Sequence, residues 1–200
     1  MSFRIEEKLF VKKENLIQFK DFLIKKSAKK IYQPRTINSL YFENNNLGMF
    51  HDSIEGLTPR KKIRVRNYPK DEKKQFYFEV KNSAVEGRHK VREIINENEF
   101  IKRKSLGVLD YQYGVCYPKI YVRYLREYYL IGDVRISIDE NIQYSDYLSA
   151  QSINDDRVVV ELKTSINKNV DELIEDFPTQ RIRFSKYCFG IESLYNLRTN

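Results

Sequence analysis

Nine basic residues of this 200-residue chain could act together: Lys8, Arg64, Arg66, Lys81, Lys90, Arg92, Lys163, Arg183 and Lys186. Most stand in stretches where charged and apolar residues alternate. The stretches read Arg60-Lys-Lys-Ile-Arg64-Val-Arg66, Gln75-Phe-Tyr-Phe-Glu79-Val-Lys81 and Gly87-Arg-His-Lys90-Val-Arg92. A period of two belongs to a strand with one polar and one buried face. Arg64 then shares a face with Arg66, Glu79 with Lys81, and Lys90 with Arg92. The spelling returns in Glu6-Glu7-Lys8, Glu161-Leu162-Lys163 and Arg181-Ile-Arg183. Any one of these charges alone reads as solvated surface. Repeated with one parity over five or six strands, they read as cations converging on a chain of phosphates, to which Arg offers bidentate hydrogen bonds and Lys a point charge.

The acidic partners carry a second kind of chemistry. Glu6, Glu79 and Glu161 each precede a Lys by two residues on the same strand face. One or two such carboxylates, with substrate oxygens, suit a hard divalent cation, Mn²⁺ or Mg²⁺. Glu161 is the first candidate ligand and Glu6 the second, while Glu79 serves equally well as a counter-charge. His51 and His89 are lone, Cys116 and Cys188 are far apart, and there is no zinc spacing, P-loop, dinucleotide fingerprint or Ser-His-Asp set. Phosphoryl transfer fits this inventory because it needs positioning and charge neutralisation more than proton chemistry. A terminal phosphate is already ionised near neutral pH and attacks unaided, whereas water must be oriented and deprotonated. The scarcity of a His base therefore favours a phosphate acceptor.

The elements that must position these residues follow from periodicity and turn signals. Strands are expected over 3–11, 36–43, the three organising stretches, 134–139 and 157–163, with a Tyr-dense segment over 119–130 leading into a Gly132-Asp133 hairpin turn. Helical stripes cover 13–26 and the last stretch through Phe184, Tyr187, Cys188, Ile191, Leu194 and Tyr195, with Ser185 as its N-cap and Lys186 in its first turn. Weaker helices are read over 97–104, closed by Gly107, and around Val170, Leu173, Ile174 and Phe177; Asn44-Asn45-Asn46 is read as a turn after the strand over 36–43, and Asp52 and Gly56 fall in an expected loop. The composition, 41% hydrophobic and 32% charged, with a net charge of +8, bounds a single domain over 1–200 whose partners are anions. With two thiols and neither a signal peptide nor a membrane-span run, a soluble cytoplasmic protein is expected. About eight strands and a few helices make an α+β protein with a mostly antiparallel sheet. In one reading its charged faces meet water. In the other, which the repeated pattern favours, the sheet closes into an eight-stranded barrel with the charges lining its interior and the helices packed outside.

The ordered set of motifs resembles the VTC-type (vacuolar transporter chaperone) polyphosphate polymerase domain, in the wider triphosphate tunnel, or CYTH-like, group. The matching pieces are Arg4-Ile-Glu6-Glu-Lys8, Ser39-Leu-Tyr-Phe, Arg64-Val-Arg66, Phe78-Glu79-Val-Lys81, Lys90-Val-Arg92, Arg126-Glu-Tyr-Tyr, Gly132-Asp-Val-Arg135-Ile-Ser-Ile-Asp139, Val160-Glu161-Leu-Lys163 and Arg183-Phe-Ser185-Lys186-Tyr187. The resemblance implies an eight-stranded antiparallel tunnel that binds triphosphate or polyphosphate with Mn²⁺ or Mg²⁺. It assigns phosphate binding to Lys8, Arg64, Arg66, Lys81, Lys90, Arg126, Arg135, Lys163 and Lys186, a further basic tunnel position to Arg183, and the metal to Glu161. Hydrolytic relatives typically carry Glu-x-Glu-x-Lys in the first strand. Arg4 stands at the first of those positions here, which resembles the polymerase branch.

The expected activity is transfer of the γ-phosphoryl of ATP to phosphate or polyphosphate, with Glu161 holding the metal and Glu6 beside it. Lys8, Arg64, Arg66, Lys81 and Lys90 are expected at the reacting phosphoryl, and Arg92, Arg126, Arg135, Lys163, Arg183 and Lys186 on the rest of the substrate. No nucleic-acid partner is expected, and coupling to translocation would need a separately encoded membrane protein. The rival of the same fold is a triphosphatase. The rival of another class is a non-catalytic polyanion-binding module, in which basic charge and aromatics serve backbone neutralisation and base stacking.

Overall fold

The computed structural model describes residues 4–85, 87–165, 175 and 179–197. Eight long strands carry the fold: β1 (Arg4–Val11), β2 (Lys29–Glu43), β3 (Arg60–Asn67), β4 (Phe76–Ala84), β5 (Gly87–Ile95), β7 (Gly114–Ile131), β8 (Val134–Asp146) and β10 (Val158–Ser165). Three short ones, β6 (Val108–Asp110), β9 (Ser152–Asp155) and β11 (Gln180–Arg181), are added to them. The helices are α1 (Leu16–Lys25), α2 (Gly48–Glu55), α3 (Glu97–Leu106) and α4 (Lys186–Tyr195). Hydrogen-bonded neighbours follow the order β11-β1-β10-β8-β7-β2-β3-β4-β5, with β6 on β7 and β9 on β8. The registered pairs β1–β10, β10–β8, β2–β3, β3–β4 and β4–β5 are antiparallel, as expected. This order ends at β11 on one side and β5 on the other, and the expected closure of the barrel is not seen among the described residues.

The chain forms two compact units. The first comprises Met1–Arg35, Tyr124–Ile142 and Asn154–Phe184. Its core is the apolar parity of β1, β8 and β10 (Leu9, Val11; Val134, Ile136, Ile138; Val158, Val160, Leu162) sealed by Leu16, Phe19 and Leu23 of α1. Those three helical residues recur at one face of a 3.6-residue period, so the strand and helix patterns bury against each other. The polar parity of the same strands carries Glu6, Lys8, Glu161 and Lys163.

The second unit comprises Thr36–Arg123, Gln143–Ile153 and Ser185–Asn200. Its core holds Leu40, Phe42, Met49, Ile63, Val65, Phe76, Ile95 and Cys116. The opposite parity of β3, β4 and β5 carries the basic residues. The helix α2 occupies the expected loop. Its N-terminal amides of Met49 and Phe50 donate to the buried Glu43 carboxylate, and Gly48 N donates to Asn44 Oδ1. Two residues read as strand end and turn thus serve as caps, and Met49 and Phe50 anchor the helix in the core.

Other expectations hold. Ser185 caps α4 by accepting from Cys188 N, and Gly107 ends α3, whose N-cap, Asn96, had not been singled out. Gly132, at a positive φ of 56°, turns β7 into β8. The expected helix over 170–177 lies outside the described residues apart from Glu175. The strand spelled by Arg181-Ile-Arg183 stops at Arg181, so Arg183 falls in the irregular stretch that follows. No helix among the described residues is long and apolar enough to cross a membrane.

Candidate functional site

Each unit gathers its own set of charges. In the second unit, antiparallel register converts alternation into a field of cations. Lys62 stands opposite Lys81 and Arg64 opposite Glu79, while Lys81 faces Lys90 and Glu79 faces Arg92 across β5. Glu79 is the focus. It is 1% exposed and receives Arg64 Nε at 2.7 Å, Arg64 Nη2 at 2.5 Å and Lys90 Nζ, with Arg92 Nε at 3.6 Å. Burial alone would raise the Glu79 carboxyl, but the Arg64 and Arg66 guanidiniums and Lys90 outweigh it and hold the group down at about 2. Burial and the neighbouring guanidiniums lower Lys90, against the pull of Glu79.

The second unit also places residues of the quoted stretches that had been given no role. Arg64 Nη1 donates to the Tyr41 hydroxyl at 2.8 Å, and Arg66 Nε donates to Ser39 Oγ at 3.1 Å. Burial raises the Tyr41 phenol, yet Arg64 and Arg66 overcome that and bring it below the ordinary value. Arg92 lies over the Tyr77 ring, 3.8 Å from its centroid. Lys62 shares the parity of Arg64 and Arg66, and its ammonium donates to Ser185 Oγ at 2.8 Å, beside Lys186 at the start of α4. The parity of Lys62 was visible in the sequence; the side-chain roles of Tyr41 and Ser39 were not. Lys81 is exposed on the same face.

In the first unit carboxylates are interleaved with the cations. Glu6 faces Lys163, Lys8 faces Glu161, Glu161 faces Ser137 and Lys163 faces Arg135. Arg126 grips the fully buried Asp139 with Nε at 2.5 Å and Nη2 at 2.6 Å, and its Nη2 lies 3.6 Å from Glu161 Oε2. Lys163 Nζ lies 3.2 Å from Glu161 Oε2 and 3.9 Å from Glu6 Oε1. Lys8 Nζ donates to the Phe184 carbonyl at 2.5 Å. Burial would raise Glu161, but Arg126 and Lys163, a hydrogen bond with Glu6, and Lys8 together hold its carboxyl well below the usual range. Burial opposes the charge on Arg126, and Asp139 more than restores it. Asp139 closes a quoted motif but had been given no role.

The donor set can be tested against a divalent cation. No group of three or more His, Cys, Asp or Glu residues suited to a metal occurs among the described residues. Glu161 and Glu6 offer two carboxylates that already converge on one cation, the Lys163 ammonium. Hard oxygen donors of that number fit Mg²⁺ or Mn²⁺ completed by substrate oxygens and water. Glu79 fits less well, its oxygens being engaged by Arg64, Lys90 and Arg92. Arg135, opposite Lys163, is exposed, and Arg183 is exposed with no ion pair among the described residues.

Several solved structures share this fold. The PH1819 protein of Pyrococcus horikoshii is 11% identical, with 96% of this chain and 99% of that chain covered and a TM-score of 0.64. The Hippeastrum protein HpAC1, described as having a dominant triphosphatase activity, is 16% identical, with 96% of each chain covered and a TM-score of 0.62. A candidate adenylate cyclase from Bacillus halodurans is 14% identical, with 92% of this chain and 94% of that chain covered and a TM-score of 0.63. No curated protein matches the chain. The motifs from Glu6 to Tyr187 find their place in one sequence family, because the VTC domain matches residues 3–195, and the chain belongs to that family.

Proposed function

We propose that the protein is a polyphosphate polymerase-like phosphotransferase of the triphosphate tunnel type, acting on ATP and phosphate or polyphosphate with Mn²⁺ or Mg²⁺. The observation that carries this reading is a surplus of positive charge on a partly buried strand face. Arg64 and Arg66, 7% and 8% exposed, share it with Lys62, Lys81, Lys90 and Arg92, and Glu79 is the carboxylate among them. Such a surplus is destabilising by self-repulsion unless a polyanion offsets it. Membership of the VTC family supports the same substrate class. The reading retains a closed barrel and a single domain over 1–200 as its architecture.

In this mechanism a terminal phosphate oxygen of the acceptor attacks the γ-phosphorus of ATP. The bond from that phosphorus to the β,γ-bridging oxygen breaks, ADP leaves with the bridging oxygen, and a new phosphoanhydride extends the acceptor. An ionised acceptor gives up no proton, so no His base is required. Arg64, Arg66, Lys81, Lys90 and Lys8 would stabilise charge on the transferring group. Arg92, Arg126, Arg135, Lys163, Arg183 and Lys186 would hold the remaining phosphates. Glu161, kept ionised, and Glu6 would hold the metal, which when bound neutralises charge on the triphosphate oxygens.

A second reading is a triphosphatase, favoured by the likeness to HpAC1 and by the approach of Glu6 and Glu161 to one ammonium, where a carboxylate could orient water. Arg4 weighs against it, since the hydrolytic pattern carries Glu there. The test is ³¹P NMR of the purified protein with ATP and Mn²⁺, repeated with tripolyphosphate. Internal-phosphate signals growing with ADP would support the polymerase; orthophosphate alone would establish the triphosphatase. No turnover of either substrate would overturn the enzymatic reading in favour of a binding module. Glu161→Gln should abolish turnover while circular dichroism stays that of the folded protein.

A further inference from the structure

A cation already sits between the carboxylates suited to a metal. Lys163 reaches Glu161 Oε2 at 3.2 Å and Glu6 Oε1 at 3.9 Å. The register fixes this arrangement. Glu6 is directly across from Lys163, and Glu161 is two residues along the same strand and therefore on the same face. Neighbouring cations are held by other groups: Arg126 forms its bidentate pair with Asp139, and Lys8 donates to Phe184 O. The Lys163 side chain is 31% exposed, against 11% for Glu161, so the ammonium approaches a buried carboxylate from the solvent side on a flexible four-carbon stem.

Resting on the metal-dependent reading above, we propose that Lys163 is a built-in counter-ion. It occupies the Glu6–Glu161 pair while the site is metal-free and moves onto phosphate oxygens when a divalent cation arrives with its triphosphate. A bare divalent ion entering the pair must expel an ammonium into a neighbourhood that already contains Lys8, Arg126 and Arg135, where the Asp139 carboxylate is already engaged by Arg126. A metal–triphosphate complex brings its own anion, and the displaced ammonium gains a partner. Metal and triphosphate should therefore strengthen each other's binding, reciprocally. The site would stay closed to free metal and open to the metal-bound substrate.

The test measures binding without turnover. Free Mn²⁺ is followed by its electron paramagnetic resonance signal, alone and with the non-transferable β,γ-imido analogue of ATP. Lys163→Met should bind Mn²⁺ alone about tenfold or more tighter than the wild type, since one repelling unit charge within a few ångströms is gone. Lys163→Arg, which keeps the cation, should stay near the wild type. The gain in Mn²⁺ affinity on adding the analogue should be large in the wild type and smaller in Lys163→Met. Lys163→Gln provides a second neutral variant should the Met variant fold poorly. Mn²⁺ affinity in folded neutral variants equal to or weaker than the wild type would overturn the counter-ion. If Glu161→Gln added to Lys163→Met leaves the gain intact, the metal lies elsewhere, and the metal assignment falls together with this proposal. The phosphorus NMR outcome bears on the polymerase reading separately.

Discussion

Replacing Glu79 by Gln removes one negative charge and keeps the shape of the side chain. In the folded protein the carboxyl is held at about 2 against an ordinary 4.5. That difference corresponds to about 3 kcal/mol of preference for the ionised form, since each pH unit of displacement is worth ~1.4 kcal/mol. Glu79 is 1% exposed, so solvent screening takes little from this figure. The pKa is depressed on folding. The stabilisation is therefore complete above the unfolded value near 4.5 and is lost as pH falls through the folded value near 2. At pH 7, Glu79→Gln should lose about 3 kcal/mol in urea unfolding, or roughly 6–12 °C in thermal midpoint for a chain of this size. The gap to the wild type should begin to narrow below pH ~4.5. Tripolyphosphate should restore part of the loss, because it supplies the missing negative charge and binds only the folded state. Glu79→Gln as stable as the wild type at pH 7, or a gap unchanged between pH 7 and pH 3, would refute the account of Glu79 as the electrostatic keystone of this face.

Asp139→Ala should destabilise by about 3–5 kcal/mol, because it strands the Arg126 guanidinium that Asp139 grips with two hydrogen bonds; urea unfolding reads this, and a loss under 1 kcal/mol would count against it. Gly190→Ala sets a helix-propensity gain of about 1 kcal/mol against a Cβ that would meet Tyr144 Cδ1 at 2.6 Å and Ile120 Cδ1 at 2.9 Å. Both neighbours are fully buried, so overpacking of about 1–3 kcal/mol should win and the thermal midpoint should fall. Burial pushes the Cys116 thiol up to about 12, leaving almost no thiolate at pH 8. Iodoacetamide should therefore leave Cys116 unmodified in the native protein and label it on unfolding, as peptide mass spectrometry would show.

The alternation that placed Arg64, Arg66, Glu79, Lys81, Lys90 and Arg92 on common faces was legible because a strand's two-residue period admits one assignment of sides. The Glu6–Lys163–Glu161 contact was half legible. Parity put Glu161 with Lys163, but only the pairing of β1 with β10 brings Glu6 opposite them. Tyr41, Ser39 and Asp139 escaped because their roles depend on which residue lies across the ladder, and no local pattern encodes that. The helix α2 escaped for another reason: its caps, Glu43 and Asn44, belong by sequence to a strand end and a turn, and its eight residues are too few for a clear stripe. Arg183 misled in the opposite direction. Its alternation with Arg181 spelled a strand, but the registered pairing with β1 takes in Gln180 and Arg181, and Ile182 N adds a hydrogen bond to Lys8 O before the chain turns irregular.

The company that Arg64 and Arg66 keep around Glu79 also decides which solution variable governs this face. Guanidiniums stay protonated throughout the biological pH range, and Glu79, held at about 2, stays ionised. Between mildly acidic and mildly alkaline conditions, the arginine part of the face therefore presents a constant charge. Dissolved salt then becomes the effective control: the Debye length falls from roughly 10 Å at 0.1 M to about 3 Å at 1 M, and the attraction felt by an approaching anion falls with it. A cell that changes its ionic composition would retune how readily this surface captures an anion, whereas one that acidifies slightly would leave the arginine charge as it was.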